Sequence, residues 1–386
     1  MNNLKIKAIG VGGAGGNIVN ELFQEEVIDI DFCAINTDAV ALKTLKLEEK
    51  YILGKNQTRG LSVGGDYEFA ANIGEEEKKQ LEAIVEGYDL VFIVLGAGGG
   101  TGTGVAPLLA KIVKESGGIV LCFAVLPFSI EGKQRIHAAE IGVSRLRFSS
   151  HGVIVLPNDV LLKCLSEDAT VVDAFTLANT WVVRGVTSIV NMLMRPGLIN
   201  VDFQSLKSVL RMTGGKTLFA LGQGKGEDAY KKALNELKLC PLMNIPESAK
   251  SADGLIINIV GGKDLKLKVV NEIAKYVTEQ FSSYDNTLIG AIIDEEMSRQ
   301  IEICVIGITD LGRRNILKGS QRTSENVGQQ VLFDESNISE KKHFEIKLNT
   351  SEEVGRGYFE DCIDEELFME IDIDIPAYYR KGIKLD

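Results

Sequence analysis

The chain has 386 residues, a formal net charge of −12 at pH 7, and 45 % hydrophobic and 25 % charged residues. Its length predicts two or three domains with enough material for a buried core. The negative charge argues against a general nucleic-acid binder, which needs a basic face, and against loose adhesion to anionic lipid.

Targeting segments and metal-binding patterns are not evident. No apolar stretch approaches the roughly 20 residues of a membrane span, and the N-terminus runs almost directly into a predicted strand, which leaves no signal peptide. We therefore expect a cytoplasmic protein without direct membrane insertion. Three scattered histidines and six single cysteines predict reduced thiols and no metal or disulfide framework. The cysteines are Cys33, Cys122, Cys164, Cys240, Cys304 and Cys362.

The first half of the chain alternates short apolar runs with helical patterns. Amphipathic stretches such as Val105–Lys114 and Lys133–Phe148 lie between the predicted strands. This alternation predicts a parallel sheet covered on both faces, which binds ligands at the carboxyl ends of its strands. The predicted strands are Ile6–Val11, Phe32–Asn36, Leu90–Leu95, Ile119–Leu126 and Val153–Leu156.

The first glycine-rich segment, Gly10–Asn17, follows the first strand and opens a helix. Glycines let the backbone approach a ligand, and a helix start presents free N–H groups and partial positive charge, which suit a phosphate. The glycines at 10, 12 and 15 also satisfy the dinucleotide fingerprint. This segment alone leaves open a dehydrogenase, or a glycine turn without a ligand.

A second glycine-rich segment, Gly96–Gly104, follows another apolar strand and precedes another helix. Two such segments at two strand ends can direct their amides at one polyphosphate, and we expect Thr101 and Thr103 to add hydroxyl donors. A dehydrogenase uses one such loop, and neither glycine-rich segment carries the Gly-Lys-[Ser/Thr] of a P-loop. The pair therefore favours a nucleotide site of another kind.

The second half begins with a long helix, Thr170–Met194, which is apolar on most faces and ends at Arg195-Pro196-Gly197. Such a helix is predicted to lie buried, as a strut between two domains. A second domain with a mixed sheet follows, and a polar linker begins at Leu311. The second domain's predicted helices lie near Phe203–Met212, Glu227–Leu237 and Leu267–Phe281, and its strands are Gly254–Val260, Thr287–Ile293 and Ile301–Ile308.

Several motifs together resemble the tubulin/FtsZ superfamily, over roughly residues 5–310 and the last dozen or so residues. The most specific is the run Gly98-Gly99-Gly100-Thr101-Gly102-Thr103-Gly104. The others agree with FtsZ in order and spacing. They are Asn36-Thr37-Asp38-Ala39, Thr58-Arg59-Gly60-Leu61, Pro127-Phe128 with Glu131-Gly132, Leu156-Pro157-Asn158-Asp159, Asp173-Ala174-Phe175 and Pro196-Gly197-Leu198-Ile199-Asn200-Val201-Asp202-Phe203.

The resemblance implies an α/β, tubulin/FtsZ-like fold with a parallel-sheet GTPase domain, a long central helix, a smaller α+β C-terminal domain and a flexible tail. The implied boundaries are 1–170 for the nucleotide-binding domain, 171–195 for the central helix, 196–310 for the C-terminal activating domain, 311–370 for the linker and 371–386 for a partner-binding peptide.

The same resemblance implies a site for GTP or GDP with Mg²⁺. Glu131 and Arg135 would contact the ribose and phosphate region, unless they form only a surface ion pair; Asn17, Asn158 and Phe175 would surround the guanine. The implied GTP-binding residues are Gly12, Gly13, Ala14, Gly15, Gly16, Asn17, Asn36, Gly96, Ala97, Gly98, Gly99, Gly100, Thr101, Gly102, Thr103, Gly104, Glu131, Arg135, Asn158, Phe175, Asn179 and Thr180.

Two positions depart from the FtsZ pattern. Thr180 stands where FtsZ proteins usually carry an aspartate that accepts hydrogen bonds from guanine, and a hydroxyl cannot match a bidentate carboxylate acceptor. We therefore expect weaker discrimination between GTP and ATP. Ser205 replaces the second acid of the loop that reaches the next subunit's nucleotide, which leaves Asp202, with Asn200, as the catalytic candidates. Hydrolysis is therefore expected to be slow.

The segment Asp374–Lys381 resembles the C-terminal FtsZ peptide that docks on membrane-tethering division proteins. Aromatic anchors and an arginine are residues that interface hot spots use, although a strand folded back on the body is the alternative. The implied partner-binding residues are Asp374, Ile375, Pro376, Tyr378, Tyr379 and Arg380.

These observations predict a GTP-binding protein of the bacterial division ring at mid-cell, which assembles head to tail with itself and hydrolyses GTP at the subunit interface. The first alternative is a structural or regulatory paralogue that binds nucleotide and co-assembles, in that case with a second FtsZ, but does not turn over. The second alternative is a dinucleotide oxidoreductase.

Overall fold

The computed structural model describes residues 4–310 except 26, 28, 163–164, 166–167, 196, 211–213, 241, 243–251 and 282–285. The predicted linker and C-terminal peptide lie outside the described residues. The strands are β1 Ile6–Val11, β2 Asp31–Asn36, β3 Glu49–Ile52, β4 Leu90–Gly96, β5 Ile119–Leu126, β6 Gly152–Pro157, β7 Gly197–Ile199, β8 Gly214–Lys225, β9 Gly254–Gly261, β10 Thr287–Ile293 and β11 Gln300–Asp310.

Helices alternate with strands in the first half of the chain and continue into the second. The helices of the described residues are α1 Gly12–Gln24, α2 Ala39–Thr44, α3 Lys55–Thr58, α4 Tyr67–Glu76, α5 Lys78–Val85, α6 Gly100–Glu115, α7 Lys133–Ser149, α8 Asn158–Leu161, α9 Val171–Met194, α10 Phe203–Leu210, α11 Ala229–Lys238 and α12 Leu267–Phe281, with a 3₁₀ turn at Ser129–Glu131. Within the described residues, no helix combines the length and the apolar character needed to cross a membrane.

The first sheet has six parallel strands in the order β3-β2-β1-β4-β5-β6. The predicted parallel sheet is confirmed, and its five predicted strands agree with the structure to within one residue at each end. The edge strand β3 escaped prediction because its sequence, Glu-Lys-Tyr-Ile, is half charged and half exposed. The direction of chain progression reverses between β1 and β4, and ligands bind at such switch points.

Two hydrophobic clusters cover the two faces of this sheet. Phe92 and Phe123 belong to the cluster beneath α1 and α9, whereas Ile93 and Cys122 belong to the cluster beneath α5, α6 and α7. Neighbouring residues of one strand separate in this way because successive side chains point to opposite faces. Burial on both faces explains why the central strands read as continuous apolar runs.

The long helix α9 has 24 residues and packs against the strands of both sheets. Its middle carries Gly185, where an added β-carbon would lie 2.9 Å from ring atoms of both Phe123 on β5 and Phe219 on β8. These two rings meet edge to face with centroids 5.9 Å apart. Only glycine, which has no β-carbon, lets the helix approach the Phe123–Phe219 ring pair so closely.

The start of α9 corrects one expectation. Thr170 and Asp173 form a capping box there, and the apolar residues of the first turns, Val171, Val172 and Phe175, are exposed rather than buried. Burial between layers therefore holds from Trp181 to Met194, where every residue is buried or partly buried, but not for the first turns of the helix.

The second sheet is mixed, as predicted, with the order β7-β10-β9-β11-β8. Strands β9 and β10 are parallel, whereas β11 runs antiparallel to both β8 and β9. The 12-residue strand β8 was missing from the sequence prediction because its glycines dilute the apolar pattern. Gly222 and Gly224 occur in it because a side chain at either position would collide with the backbone of α11.

Candidate functional site

The two glycine segments lie side by side at the switch point of the first sheet. Their strands, β1 and β4, are neighbours, with Val11 paired to Leu95 at the carboxyl ends. A β-carbon added to Gly12 would lie 3.0 Å from the amide nitrogen of Gly102. The structure thus brings together the segments that the sequence predicts to share one polyphosphate.

Both segments are more helical than expected. Helix α1 begins at Gly12 directly after β1, and α6 begins at Gly100, five residues before the predicted start at Val105. The N-cap residues of these helices, Val11 and Gly99, make no side-chain hydrogen bonds, and neither first turn contains an acidic residue. The first-turn amides and the positive end of each helix dipole therefore remain free of a side-chain cap, which suits an anion.

Most glycines of these segments are required by packing. A β-carbon on Gly102 would lie 2.9 Å from the carbonyl oxygen of Gly96, and one on Gly15 would overlap the carbonyl of Val94. Gly13 differs, because no atom lies within 4 Å of an added β-carbon there. Gly99 would meet only an ordinary contact at 3.7 Å. Gly13 and Gly99 are thus the positions where an added side chain enters open space.

The two threonines of the second glycine-rich segment form hydrogen bonds within the protein. Thr103 is fully buried, and its hydroxyl accepts a hydrogen bond from the amide of Gly98 at 2.9 Å. The Thr101 hydroxyl is 2.7 Å from that of Thr37, in a buried pair. Both hydroxyls thus already have protein partners, and their donation to a polyphosphate stays a prediction.

A further segment, residues 58–66, covers the start of α6 and was not assigned to the site by its sequence. A β-carbon on Gly100 would collide with the side chain of Val63 and lie 3.2 Å from Gly65. Arg59 and Ser62 adopt positive φ angles of 54° and 74°. The adjacent glycines Gly64 and Gly65 are the sequence signal for this turn, since both have positive φ.

A mixed polar and aromatic patch lies where α1 packs against α9. Phe175 is 44 % exposed, and its ring meets Phe128 edge-on with centroids 5.2 Å apart. One turn further along α9, the side-chain amide of Asn179 donates to a carboxylate oxygen of Glu21 on α1 at 2.9 Å. The exposed Asn17 lies one turn before Glu21. Asn17 and Phe175 thus each lie one helical turn from the contact between Glu21 and Asn179.

Thr180 follows Asn179 but uses its hydroxyl within the helix. Its hydroxyl group donates a hydrogen bond to the carbonyl oxygen of Thr176 at 2.8 Å. Hydrogen bonding to the carbonyl four residues earlier is a common solution for threonine inside a helix.

Glu131 and Arg135 form an ion pair, the alternative to the contact with ribose and phosphate that the resemblance implies. Oε2 of Glu131 lies 2.8 Å from a guanidinium nitrogen of Arg135. Glu131 also accepts a hydrogen bond from the amide of Phe128 at 2.8 Å. The carbonyl of Arg135 faces Gly98, where a β-carbon would overlap it. The pair therefore lies between the second glycine segment and the Phe128 turn, at the edge of the patch.

The two remaining asparagines differ in what they offer. Asn158 is 3 % exposed, and its side-chain oxygen has no hydrogen-bond partner in the part of the chain that the structure describes. Such a buried acceptor calls for a donor. The side-chain oxygen of Asn36 accepts from the amides of Thr37 and Asp38, at 2.9 and 3.3 Å. That oxygen shapes the turn after β2, so a direct ligand contact through it is not supported.

The catalytic candidates lie beyond the other end of α9. The side-chain oxygen of Asn200 accepts from the amide of Gly197 at 2.7 Å. Asp202 accepts from the backbone amide of Ser205 at 2.8 Å and from its hydroxyl at 2.9 Å. These two hydrogen bonds, the backbone one foremost, hold the pKa of Asp202 below its usual value.

Distance separates this acidic loop from the patch. Phe175 lies near the start of α9 and the loop follows its end; a helix of 24 residues is about 36 Å long at 1.5 Å per residue. Within one subunit, Asp202 is therefore separated from Phe175 by most of the length of α9.

No protein cage for a metal ion is found in the described residues: none of their His, Cys, Asp and Glu side chains form groups of three or more that could hold one. Mg²⁺ commonly binds through phosphate oxygens and water with only one or two carboxylates.

Family comparisons agree with this geometry. The family model of the tubulin/FtsZ GTPase domain matches residues 5–166, and that of the FtsZ C-terminal domain matches residues 214–312. The cell division protein FtsZ of Buchnera aphidicola subsp. Baizongia pistaciae (strain Bp) is 33 % identical over 99 % of this chain and 98 % of its own length. That of B. aphidicola subsp. Acyrthosiphon pisum (strain APS) is 34 % identical over 98 % of this chain and 97 % of its own.

Solved structures share the fold. An empty FtsZ dimer from M. jannaschii has a TM-score of 0.74 and 32 % identity, covering 80 % of this chain and 89 % of that chain. CetZ2 from Haloferax volcanii, solved as a protofilament with GTPγS bound, has a TM-score of 0.67 and 22 % identity, covering 83 % and 99 % of the two chains.

Proposed function

The chain belongs to the tubulin/FtsZ family and carries its GTPase domain, and from that premise we propose a GTP-binding filament protein of the bacterial division ring, with hydrolysis at the head-to-tail contact. The match to a GTPase domain removes the dinucleotide-oxidoreductase alternative. The single observation that carries the proposal is the pair of uncapped helix starts, at Gly12 and Gly100, on neighbouring parallel strands.

Phosphates would lie against these two helix starts. Their first-turn amides supply hydrogen-bond donors, and the two helix dipoles add positive potential at one point. Gly13 and Gly99 keep the approach to the amides open, since an added β-carbon there meets little or nothing. Mg²⁺, when bound, neutralises phosphate charge as the nucleotide's counter-ion.

The base would lie between α1 and α9. Asn17 and Asn179 offer amide groups, and the exposed ring of Phe175 offers an aromatic surface. The unpartnered buried oxygen of Asn158 supplies an acceptor close to the Phe128 turn, which Asp159 holds through the amide of Ser129 at 3.0 Å. Glu131 and Arg135 close the side nearer the ribose.

Hydrolysis would require two subunits. Phe175 and Asn179 lie 19 and 15 residues before the end of α9, or about 29 and 23 Å from the start of the acidic loop, so the proposal is that a head-to-tail contact brings one subunit's Asp202 to its neighbour's nucleotide. Such a heterologous interface does not close on itself and therefore generates a filament. Asp202 would orient water for in-line attack on the terminal phosphate, and Asn200 would hold the loop's turn.

Turnover is expected to be slow. Asp202 is the loop's only carboxylate between Gly197 and Ser205, and both of its oxygens accept hydrogen bonds from Ser205. Its lowered pKa makes it a weaker base than an ordinary aspartate. The presence of a single, hydrogen-bonded carboxylate in this loop also favours the second candidate function. That candidate is a structural or regulatory paralogue that binds nucleotide and co-assembles with little or no hydrolysis.

Phosphate release and light scattering, measured with GTP and Mg²⁺ at several protein concentrations, test the proposal. Activity per molecule should rise above a threshold concentration at which scattering also rises. The paralogue alternative predicts GTP binding and no release at any concentration. A rate strictly proportional to protein concentration down to high dilution would mean that one subunit holds the whole site, and the two-subunit mechanism would then fail.

Within the cell we propose a cytoplasmic protein of the mid-cell ring, whose tail binds membrane-tethering division proteins. The support is membership of a family whose relatives are named for cell division, together with the resemblance of the tail segment, which lies outside the described residues.

A further inference from the structure

Glu21 is a carboxylate beside the proposed base site that the sequence analysis did not single out. It lies on α1 one turn after Asn17 and two turns after Gly13, and residues four apart share one helix face. Gly13 and Asn17 are exposed and Glu21 is half-buried. The three form a stripe about 12 Å long that runs from the helix start toward the patch.

Asn179 orients this carboxylate. Its side-chain nitrogen donates to Oε2 of Glu21 at 2.9 Å, across the contact between α9 and α1. No protein group in the described part of the chain hydrogen-bonds the other oxygen, Oε1. Because Asn179 lies one turn after Phe175, the carboxylate is held next to the aromatic surface proposed for the base.

Neighbouring carboxylates have other partners. Asp173 is held by Thr170 in the capping box of α9, Asp159 accepts from Ser129, and Glu131 pairs with Arg135. Thr180 has already donated its hydroxyl hydrogen to the carbonyl of Thr176. Glu21 therefore keeps one carboxylate oxygen without a protein donor, among the described residues, at the contact between α1 and α9.

Guanine presents two adjacent donors, N1–H and the 2-amino group, whereas adenine presents an acceptor, N1, at the corresponding edge. An ionised carboxylate is acceptor-only and matches the two guanine donors with charge-assisted hydrogen bonds. Against adenine it would leave lone pairs facing each other.

We propose that Glu21 is the guanine-reading residue of this chain. The inference rests on the proposed GTP site and deepens it. It replaces the expectation of weak GTP-over-ATP discrimination, which considered position 180 alone: the carboxylate is supplied from α1 instead of α9.

The test is Glu21→Gln, with dissociation constants measured by calorimetry for GTP, ATP and XTP. Glutamine keeps the size and can still accept from Asn179. Its amide donates where xanthine carries a 2-oxo group, so XTP should gain affinity while GTP affinity falls about tenfold to a hundredfold. A reversal of the GTP-to-XTP preference is a gain that a merely damaged protein would not show.

Glu25→Gln is the matched control, because Glu25 is exposed at the end of the same helix and its loss changes the net charge equally. It should leave all three constants unchanged. An unchanged GTP-to-XTP ratio in Glu21→Gln overturns the assignment, as does a wild type that binds GTP and ATP equally. Wild-type protein that binds none of the three nucleotides would instead refute the proposed function.

Discussion

The α-carbon of Gly12 faces the backbone amide of Gly102 so closely that a β-carbon on Gly12 would lie 3.0 Å from that nitrogen. Two segments about 90 residues apart in sequence thus pack backbone to backbone. Most glycines here serve this packing, and only a few leave open space toward a ligand.

Two alanine substitutions separate these roles. Gly102→Ala should lower the free energy of unfolding by about 1–3 kcal/mol, because the new methyl group lies 2.9 Å from the carbonyl oxygen of Gly96. Gly13→Ala should leave the free energy of unfolding near that of wild type but weaken GTP binding, because its methyl group enters open space at the start of α1. Urea unfolding and calorimetry measure the two quantities. Gly13→Ala protein with wild-type affinity would show that phosphates do not approach this helix start.

The acidic loop offers a test of the mechanism. Asp202→Ala should bind GTP normally, assemble, and release phosphate more slowly than wild type. Ser205→Asp should raise the rate at least about tenfold, since it adds a carboxylate and removes the hydroxyl that stabilises ionised Asp202. Faster hydrolysis should also shorten filament lifetime.

Ser205→Ala is the control for this pair, because it removes the hydroxyl donor without adding a base. Its rate should rise only slightly, as Asp202 keeps the hydrogen bond from the backbone amide. Equal rates for Ser205→Asp and Ser205→Ala would contradict a role for the added carboxylate.

Buried thiols predict a loss of stability at alkaline pH. Burial raises the pKa of Cys33, Cys122 and Cys304 to about 12, above the roughly 8.5 of an unfolded cysteine. The unfolded chain therefore releases these protons first as pH rises. The stabilisation is fully present below about pH 8.5 and is lost progressively toward pH 12.

Urea midpoints measured between about pH 7.5 and 10.5 should therefore fall with pH. The decrease should be smaller in Cys122→Ala, which removes one titrating group. Two partly buried tyrosines contribute in the same direction, since partial burial raises the pKa of Tyr51 and Tyr88 as well. Midpoints that do not change across this range would contradict the assignment.

The C-terminal segment, residues 374–386, is predicted from the sequence to bind a membrane-tethering protein. Deleting residues 374–386 should leave GTP-dependent light scattering intact, because both proposed filament faces lie in residues 4–310. Membrane recruitment by a tethering protein should be lost, since Tyr378 and Tyr379 are the expected anchors. Truncated protein that still co-sediments with tether-coated vesicles would place the anchor elsewhere.

Sequence by itself determined the architecture of this protein. Strands buried on both faces must be apolar throughout, so β1, β4 and β5 were evident as continuous apolar runs. The glycine segments indicated two helix starts, because the backbone requirements of a tight strand-to-helix turn fall on consecutive residues. The long helix α9 was evident from its apolar pattern, although the exposure of Val171 and Val172 was not.

Tertiary structure alone decided what the individual side chains do. The buried hydroxyl of Thr103 accepts a hydrogen bond from the amide of Gly98. Strands β3 and β8, which the sequence did not predict, are recognised only by their pairing with β2 and β11. Glu21 and Asn179 are 158 positions apart, and their 2.9 Å contact exists because α1 packs on α9. Local patterns encode periodicity and backbone freedom, but a hydrogen bond between distant helices depends on their packing, which no stretch of consecutive residues specifies.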